Sequence, residues 1–229
     1  MTPGFRVGAS RPSVNLELVA RYQNIPVACI SDSIHRLSAG GSRLRPMGTS
    51  RMVGPAFVVR TAPGDNLMVH KALDIAPAGA VLVVDAGGDL TNAILGERMV
   101  RIAAARGLAG IIVNGAIRDY DILRIHPLPV FAAGVTHRGP YKNGPGEINY
   151  PIALDGMVIE SGDLIAADED GIVCIAYRDA DEVCEAAERK ARHEAENAPE
   201  QEDRGWIDKA LHDLGCAMDT EYSLPHFRS

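Results

Sequence analysis

The chain predicts an α/β protein: mixed β-sheet layers flanked by helices, followed by a C-terminal helical extension. Three observations carry this. Through the first two-thirds, short runs of Val, Ile, Leu and Ala alternate with stripes at helical spacing, and hairpin signals follow. Of 229 residues 46% are hydrophobic but 5% aromatic, with a single Trp206. The core must therefore be aliphatic, as in sheets buried on both faces. From Asp179 the composition turns charged and helical.

Residues 1–12 read as a loose arm, and Ser13 as the N-cap of an amphipathic helix running to about Tyr22. Ser31 or Asp32 is expected to cap a second short helix carrying Ile34 and Leu37, which Ala39-Gly40-Gly41-Ser42 ends. Residues 53–61 are strand-like. Pro63-Gly64-Asp65-Asn66 is a turn and cap signal before a helix with Met68, Val69, Ala72 and Leu73. Residues 80–84 form a buried strand. A further helix starts at Gly96; Ile102, Ala103 and Ala104 lie on its apolar stripe, and Arg106-Gly107 stops it. Residues 109–113 are the next strand, Asn114-Gly115 reads as a turn, and Arg118-Asp119 emerges at the strand's carboxyl end, followed by one helical turn. Pro127 and Pro129 precede a strand at 130–132. Residues 136–150 form a Gly/Pro-rich loop long enough to be functional. Residues 158–159, 164–166 and 171–176 read as strands, with Ser161-Gly162-Asp163 and Glu169-Asp170-Gly171 as hairpin turns. The domain expectation is one α/β catalytic domain over 1–178 and a helical extension over 179–229. The first extension helix has few large apolar residues: it reads as a solvated face, or as a helix packed on a neighbouring subunit. Pro199 separates it from a last helix with Trp206, Ile207 and Leu211.

A net charge of −7 argues against nucleic acid as the main partner. No apolar run approaches the length of a membrane span. The N-terminus lacks a signal-like apolar core, and Cys29, Cys174, Cys184 and Cys216 show neither C-x-x-C nor zinc spacing. The expectation is a cytoplasmic chain with reduced thiols. Phosphate-loop, nucleophile-elbow, zinc-helix and dinucleotide motifs are absent. Of four lysines, Lys190 and Lys209 lie in charged helices and Lys142 in the long loop. Lys71 alone is a candidate for a desolvated Schiff-base amine, and a weak one. His70 and His137 are read as structural before they are read as ligands.

Gly96, Glu97, Arg98 and Met99 form a helix start with free backbone N–H groups, an anion site by construction. Arg118 supplies a bidentate fork for a carboxylate, and Asp119 a hard oxygen for a divalent cation. Alone, an Arg-Asp pair is a surface salt bridge and a Gly before a helix an ordinary turn. Together in one βαβ-like unit they point to a small carboxylate bound beside a metal.

PGDNLMVHKAL, ILGERM, ARGLAGIIVNGAIRD and SGDLIAADEDGIV resemble the class II 4-hydroxy-4-methyl-2-oxoglutarate/4-carboxy-4-hydroxy-2-oxoadipate aldolases, over roughly residues 15–196. The same fold family, a swivelling β/β/α arrangement, includes the regulator of ribonuclease E activity A. The resemblance implies that the amides of Gly96, Glu97, Arg98 and Met99, with Arg118, hold a pyruvyl carboxylate. It implies that Asp119 anchors Mg2+ or Mn2+, largely through water, and that Arg118 and Asp119 are the catalytic pair. The regulator branch typically lacks that aspartate. A glutamate from a neighbouring subunit's C-terminal helix is implied near the metal, matching Glu194, with Glu196 next. The implied activity is cleavage of a 4-hydroxy-2-oxo acid to pyruvate, with oxaloacetate decarboxylation through the same enolate. The implied assembly is a homotrimer or homohexamer. The alternatives are a non-catalytic regulator that binds a ribonuclease and a metal-dependent lyase or hydratase on another oxo acid. The loop HRGPYKNGPGEIN is richer in Gly and Pro than the aldolase pattern, which leaves the acceptor end of the substrate open.

Overall fold

The computed structural model describes residues 2–196 and 204–217. The chain divides into two compact units, Met1–Ala191 and Arg192–Ser229. The larger unit is built on a ten-stranded mixed sheet. Its centre is β3 (Met52–Thr61), β4 (Val81–Asp85), β6 (Gly110–Ile117) and β7 (Val130–Val135), paired in parallel in that order. Strand residues alternate between faces. Val59, Leu82, Val84, Ile111 and Val113 meet α3 (Leu67–Ile75) and α4 (Glu97–Ala105). Val58, Val81, Val83 and Ile112 meet a hairpin of β9 (Ile152–Leu154) and β10 (Met157–Ile159). A third core joins α1 (Leu16–Tyr22) and α2 (Val27–Ser33) to β11 (Leu164–Asp168), β12 (Gly171–Ile175) and α6 (Ala180–Glu196). The expected mixed α/β architecture is what folds.

Several local expectations are corrected, mostly because distant residues supply what the local sequence lacks. The loose arm contains β1 (Phe5–Val7), which pairs in parallel with β8 (Gly146–Ile148) inside the long loop. Glu147 holds it there, accepting from Gly4 N–H (3.0 Å) and Arg6 Nε (2.6 Å), while the Arg6 guanidinium lies 3.8 Å from the Tyr150 ring centre. Asn15, not Ser13, caps α1 by accepting from Leu18 N–H. The second helix starts at Val27 because Asp168, far along the chain, accepts the Val27 N–H at 2.9 Å. Beyond that helix His35 and Arg36 take positive φ, so Ile34 and Leu37 lie in turns. Asn114-Gly115 is not a turn. The strand runs on to Ile117 with a register shift after Val113, and β5 (Ala93–Leu95) pairs with this last part. Residues 161–163 are not a hairpin. The hairpin is at Asp155-Gly156, both at positive φ as a two-residue turn requires. β2 (Arg45–Pro46), β5, β8 and β9 escaped the sequence pattern, being two or three residues each.

The charged helix α6 is partly packed on its own chain. Ala180, Cys184 and Ala187 are buried, Tyr22 Oη donates to Ala180 O at 2.7 Å, and Arg21 forks Glu188 at 2.9 and 3.0 Å. Small side chains suit this contact because the helix lies close to its neighbours. Its inner side is thus packed, and its outer side is exposed in the single chain. In the second unit, α7 (Gly205–Asp213) carries Trp206, Ile207 and Leu211, none of them buried. Pro199 lies outside the described residues. No helix among those described is long and apolar enough to cross a membrane.

Candidate active site

Between α5 (Tyr120–Leu123) and the end of β6 stand Arg118 and Asp119. Arg118 N–H donates to Leu95 O at 3.0 Å, which ties the end of β6 to the strand leading into α4. Asp119 sits in the left-handed region, φ 57° and ψ 39°, which Asp tolerates better than most residues. That conformation turns its carboxylate back onto the start of α4, where Oδ2 accepts the Glu97 N–H at 2.9 Å. Gly96 makes this approach possible. A Cβ there would collide with Asp119 Oδ2 and lie 2.8 Å from Arg118 Cγ.

The expected anion site is thus narrower than four free amides. The Glu97 N–H is spent on Asp119, and the Met99 N–H donates to Gly96 O at 3.1 Å. Arg98 N–H has no acceptor among the described residues. The Glu97 carboxylate pairs with Arg101 at 2.7 Å, one turn along α4. Arg118 Nε and Asp119 Oδ2 are 3.8 Å apart, both side chains being nearly half exposed, so the pair is loose. The guanidinium fork stays available to a ligand.

Gly96, Arg98, Met99, Arg118 and Asp119 line one cavity of about 350 Å3, with Ile94, Leu95 and Ile102 among its apolar walls. Glu97 is not among its lining residues, and its amide is held by Asp119. Glu194 and Glu196 lie in the last turn of α6, in the second unit.

The cavity also holds Asn66, His70, Pro140 and Lys142. Asn66 Nδ2 donates to Ile94 O at 2.8 Å; its Oδ1 is buried without a donor among the described residues. Burial, then the charges of Lys142 and Arg98, hold the His70 pKa below the ordinary imidazole value. Arg98, Arg118 and Lys142 face one carboxylate, Asp119, so the lining favours a ligand with more than one negative charge.

No three His, Cys, Asp or Glu side chains converge on a metal position among the described residues. Asp119 offers one hard oxygen with Oδ2 already accepting one hydrogen bond. This suits Mg2+ or Mn2+ held by one carboxylate, water and substrate oxygens, and does not suit zinc or a closed all-protein cage.

Fold and cavity together define the class: an α/β protein with a cation-lined cavity at the carboxyl end of a central strand. The chain belongs to the RraA-like family, Aldolase/RraA, whose model matches residues 27–174. A Halalkalibacterium halodurans protein, provisionally named 4-hydroxy-4-methyl-2-oxoglutarate aldolase, is 36% identical over 203 residues, 86% of this chain and 97% of its own length. A Thermus thermophilus 4-hydroxy-4-methyl-2-oxoglutarate aldolase is 38% identical over 128 residues, 56% of this chain and 77% of that one. Among solved structures, Streptomyces coelicolor RraAS2, described as an unusual member of the RNase ES inhibitor RraA family, matches with a TM-score of 0.74 at 27% identity. It covers 81% of this chain and 97% of its own.

Proposed function

We propose that this chain is a Mg2+- or Mn2+-dependent aldolase that cleaves a 4-hydroxy-2-oxo acid to pyruvate and an oxo acid, and that decarboxylates oxaloacetate. The supporting observation is the convergence of Arg118, Asp119 and the α4 N-terminus at a cavity whose lining also contains Lys142, His70 and Arg98. The aldolase names of its relatives agree with it.

Arg118 forks the 2-oxo acid's carboxylate, and the Arg98 amide and the α4 dipole add to that hold. Asp119 holds the divalent ion, which when bound supplies Lewis-acid charge to the enolate left by C3–C4 cleavage. Cleavage sends the C3–C4 pair to C3 and the C4 hydroxyl proton to a base; protonation of C3 then gives pyruvate. Oxaloacetate loses carbon dioxide through the same enolate. Asn66 Oδ1 suits a substrate hydroxyl, since it is a buried acceptor in the cavity that lacks a donor among the described residues. Lys142, with Arg98, attracts a second carboxylate, and the apolar walls exclude water. The deciding experiment is pyruvate release from a panel of 4-hydroxy-2-oxo acids and oxaloacetate, with magnesium and with EDTA. No release from any of them would favour the second reading, a protein-binding regulator, which the likeness to RraAS2 supports.

Two predictions arise here. Arg118→Lys is expected to raise KM and lower kcat for every 2-oxo acid, with kcat/KM down about 10–100-fold, because an ammonium cannot reproduce a bidentate contact. An effect on one acid alone would assign Arg118 to the variable end of the substrate. The second concerns a site shared within a homotrimer or hexamer, with Glu194 serving the adjacent subunit's metal. Mixing inactive Asp119→Ala chains with inactive Glu194→Ala chains should then make about one site in four whole, by random assortment across a heterologous interface. Steady-state pyruvate release after verified subunit exchange measures it; no recovery removes Glu194 from the site.

A further inference from the structure

The segment 138–144 is exposed and rich in Gly and Pro, yet it is fastened along its length. Ala93 N–H donates to Arg138 O at 2.8 Å, and Asn92 Nδ2 to Gly139 O at 2.6 Å. On the other side, Tyr141 N–H donates to Gly64 O (2.8 Å) and Asn66 N–H to Tyr141 O (3.0 Å), a parallel bridge centred on Asp65. The Asp65 side chain then takes the next two amides. Its Oδ2 accepts from Asn143 N–H at 2.6 Å and Gly144 N–H at 3.0 Å, and its Oδ1 from Leu67 N–H at 2.9 Å.

Asp65 is 3% exposed, and three N–H groups satisfy its carboxylate, each a charge-assisted bond. Lys142 lies between the two fastened points, with Tyr141 held by the backbone of residues 64 and 66 and Asn143 by the Asp65 side chain. The residue after Asp65 is Asn66, which lines the same cavity. One buried side chain thus connects the start of α3 to the loop that carries the cavity's lysine.

We propose that Asp65 is a positioning residue: it latches the 141–144 segment so that Lys142 is presented to the distal carboxylate of the substrate. This rests on reading the cavity as a 2-oxo-acid site. Asp65→Asn keeps the shape and replaces one acceptor oxygen with a donor that faces an N–H. In either orientation of the amide the bonds from Asn143 and Gly144 N–H are broken or lose their charge assistance, while the pyruvyl end, built from Arg118 and α4, is untouched.

The test is calorimetric titration of the intact protein, in magnesium, with 2-oxoglutarate (two carboxylates) and with pyruvate (one). Asp65→Asn should weaken 2-oxoglutarate about tenfold, the scale of one hydrogen bond to a charged group. Pyruvate should stay within about twofold, as for a change remote from its contacts. The double variant Asp65→Asn/Lys142→Ala should bind 2-oxoglutarate no more weakly than Lys142→Ala alone, since both act through the same group. Equal weakening of both acids, or losses that add, overturns the proposal. If the wild type binds neither acid, the 2-oxo-acid reading fails separately. Amide exchange in the wild type then judges the latch, as it does if Asp65→Asn does not fold. Protection of Asn143 and Gly144 of at least about 100-fold upholds it, and exchange at the rate of an unstructured chain overturns it.

Discussion

Asp119→Asn is expected to lower pyruvate release by on the order of 1000-fold at saturating magnesium, with the fold intact. The substitution isolates the charge. Asn accepts a left-handed conformation at least as readily as Asp, so φ 57° and ψ 39° persist. Its Oδ1 can still accept the Glu97 N–H, so the contact at the start of α4 also persists. Only the anionic oxygen is lost, and with it the proposed hold on the divalent ion. Asp119→Ala removes both functions. It costs stability as well, about 1–2 kcal/mol for a left-handed Ala and about 1 kcal/mol for the lost N-terminal hydrogen bond. A domain of ordinary stability tolerates that sum. Thermal unfolding read beside turnover separates the two effects. Near-wild-type turnover in Asp119→Asn would remove the metal role and leave Asp119 as a device that fixes the start of α4.

The central elements were legible because their signals are local. The apolar runs of β4 and β6 and the stripes of α3 and α4 each declare themselves within about ten residues. Arg118-Asp119 was legible for the same reason: two adjacent charged residues follow an apolar strand, where open sheets place ligands. What was missed depends on long-range partners. The start of α2 is set by Asp168, and β1 exists because Glu147 binds Gly4 and Arg6. The far side of the cavity was missed on the same grounds. Pro63-Gly64-Asp65-Asn66 was visible as a turn, but its partner is the loop near Tyr141, across the sheet edge from it. In the sequence Lys142 is one lysine of a polar loop and His70 a lone helix histidine. The fastening of 138–144 brings Lys142 beside Arg98 and Asn66, whereas His70 lies one helical turn from Asn66 and donates its N–H to Asn66 O at 3.0 Å. The amides at Gly96, Glu97, Arg98 and Met99 were overcounted because sequence spacing does not show that Asp119 turns back and occupies the Glu97 N–H.

Gly96→Ala should reduce turnover about 100-fold, the cost typical of a misplacement of about 1 Å in a reacting group. The reason is steric and not conformational. Gly96 has φ −150° and ψ −164°, extended backbone open to any residue. Its missing Cβ is the space that Asp119 Oδ2 fills, and Arg118 Cγ and Asp119 Cγ would stand 2.8 and 3.1 Å from an added methyl. The Asp119 carboxylate ends a partly exposed side chain and can swing away, Arg118 Cγ must shift by a few tenths of an ångström, and the stability loss should stay within the roughly 1–3 kcal/mol typical of overpacking. Swinging away breaks the Glu97 contact and moves the proposed metal ligand. Gly139→Ala is the graded comparison. Its Cβ would approach Arg118 Nη1 to 3.2 Å, a contact the flexible guanidinium relieves, so a few-fold effect, mainly on KM, is expected. In the double variant Gly96→Ala/Asp119→Ala the carboxylate clash is gone but the methyl still meets Arg118 Cγ at 2.8 Å, so any loss beyond that of Asp119→Ala measures the displacement of Arg118. Full wild-type turnover in Gly96→Ala, with the melting temperature unchanged, would mean that the position of the Asp119 carboxylate does not govern the reaction.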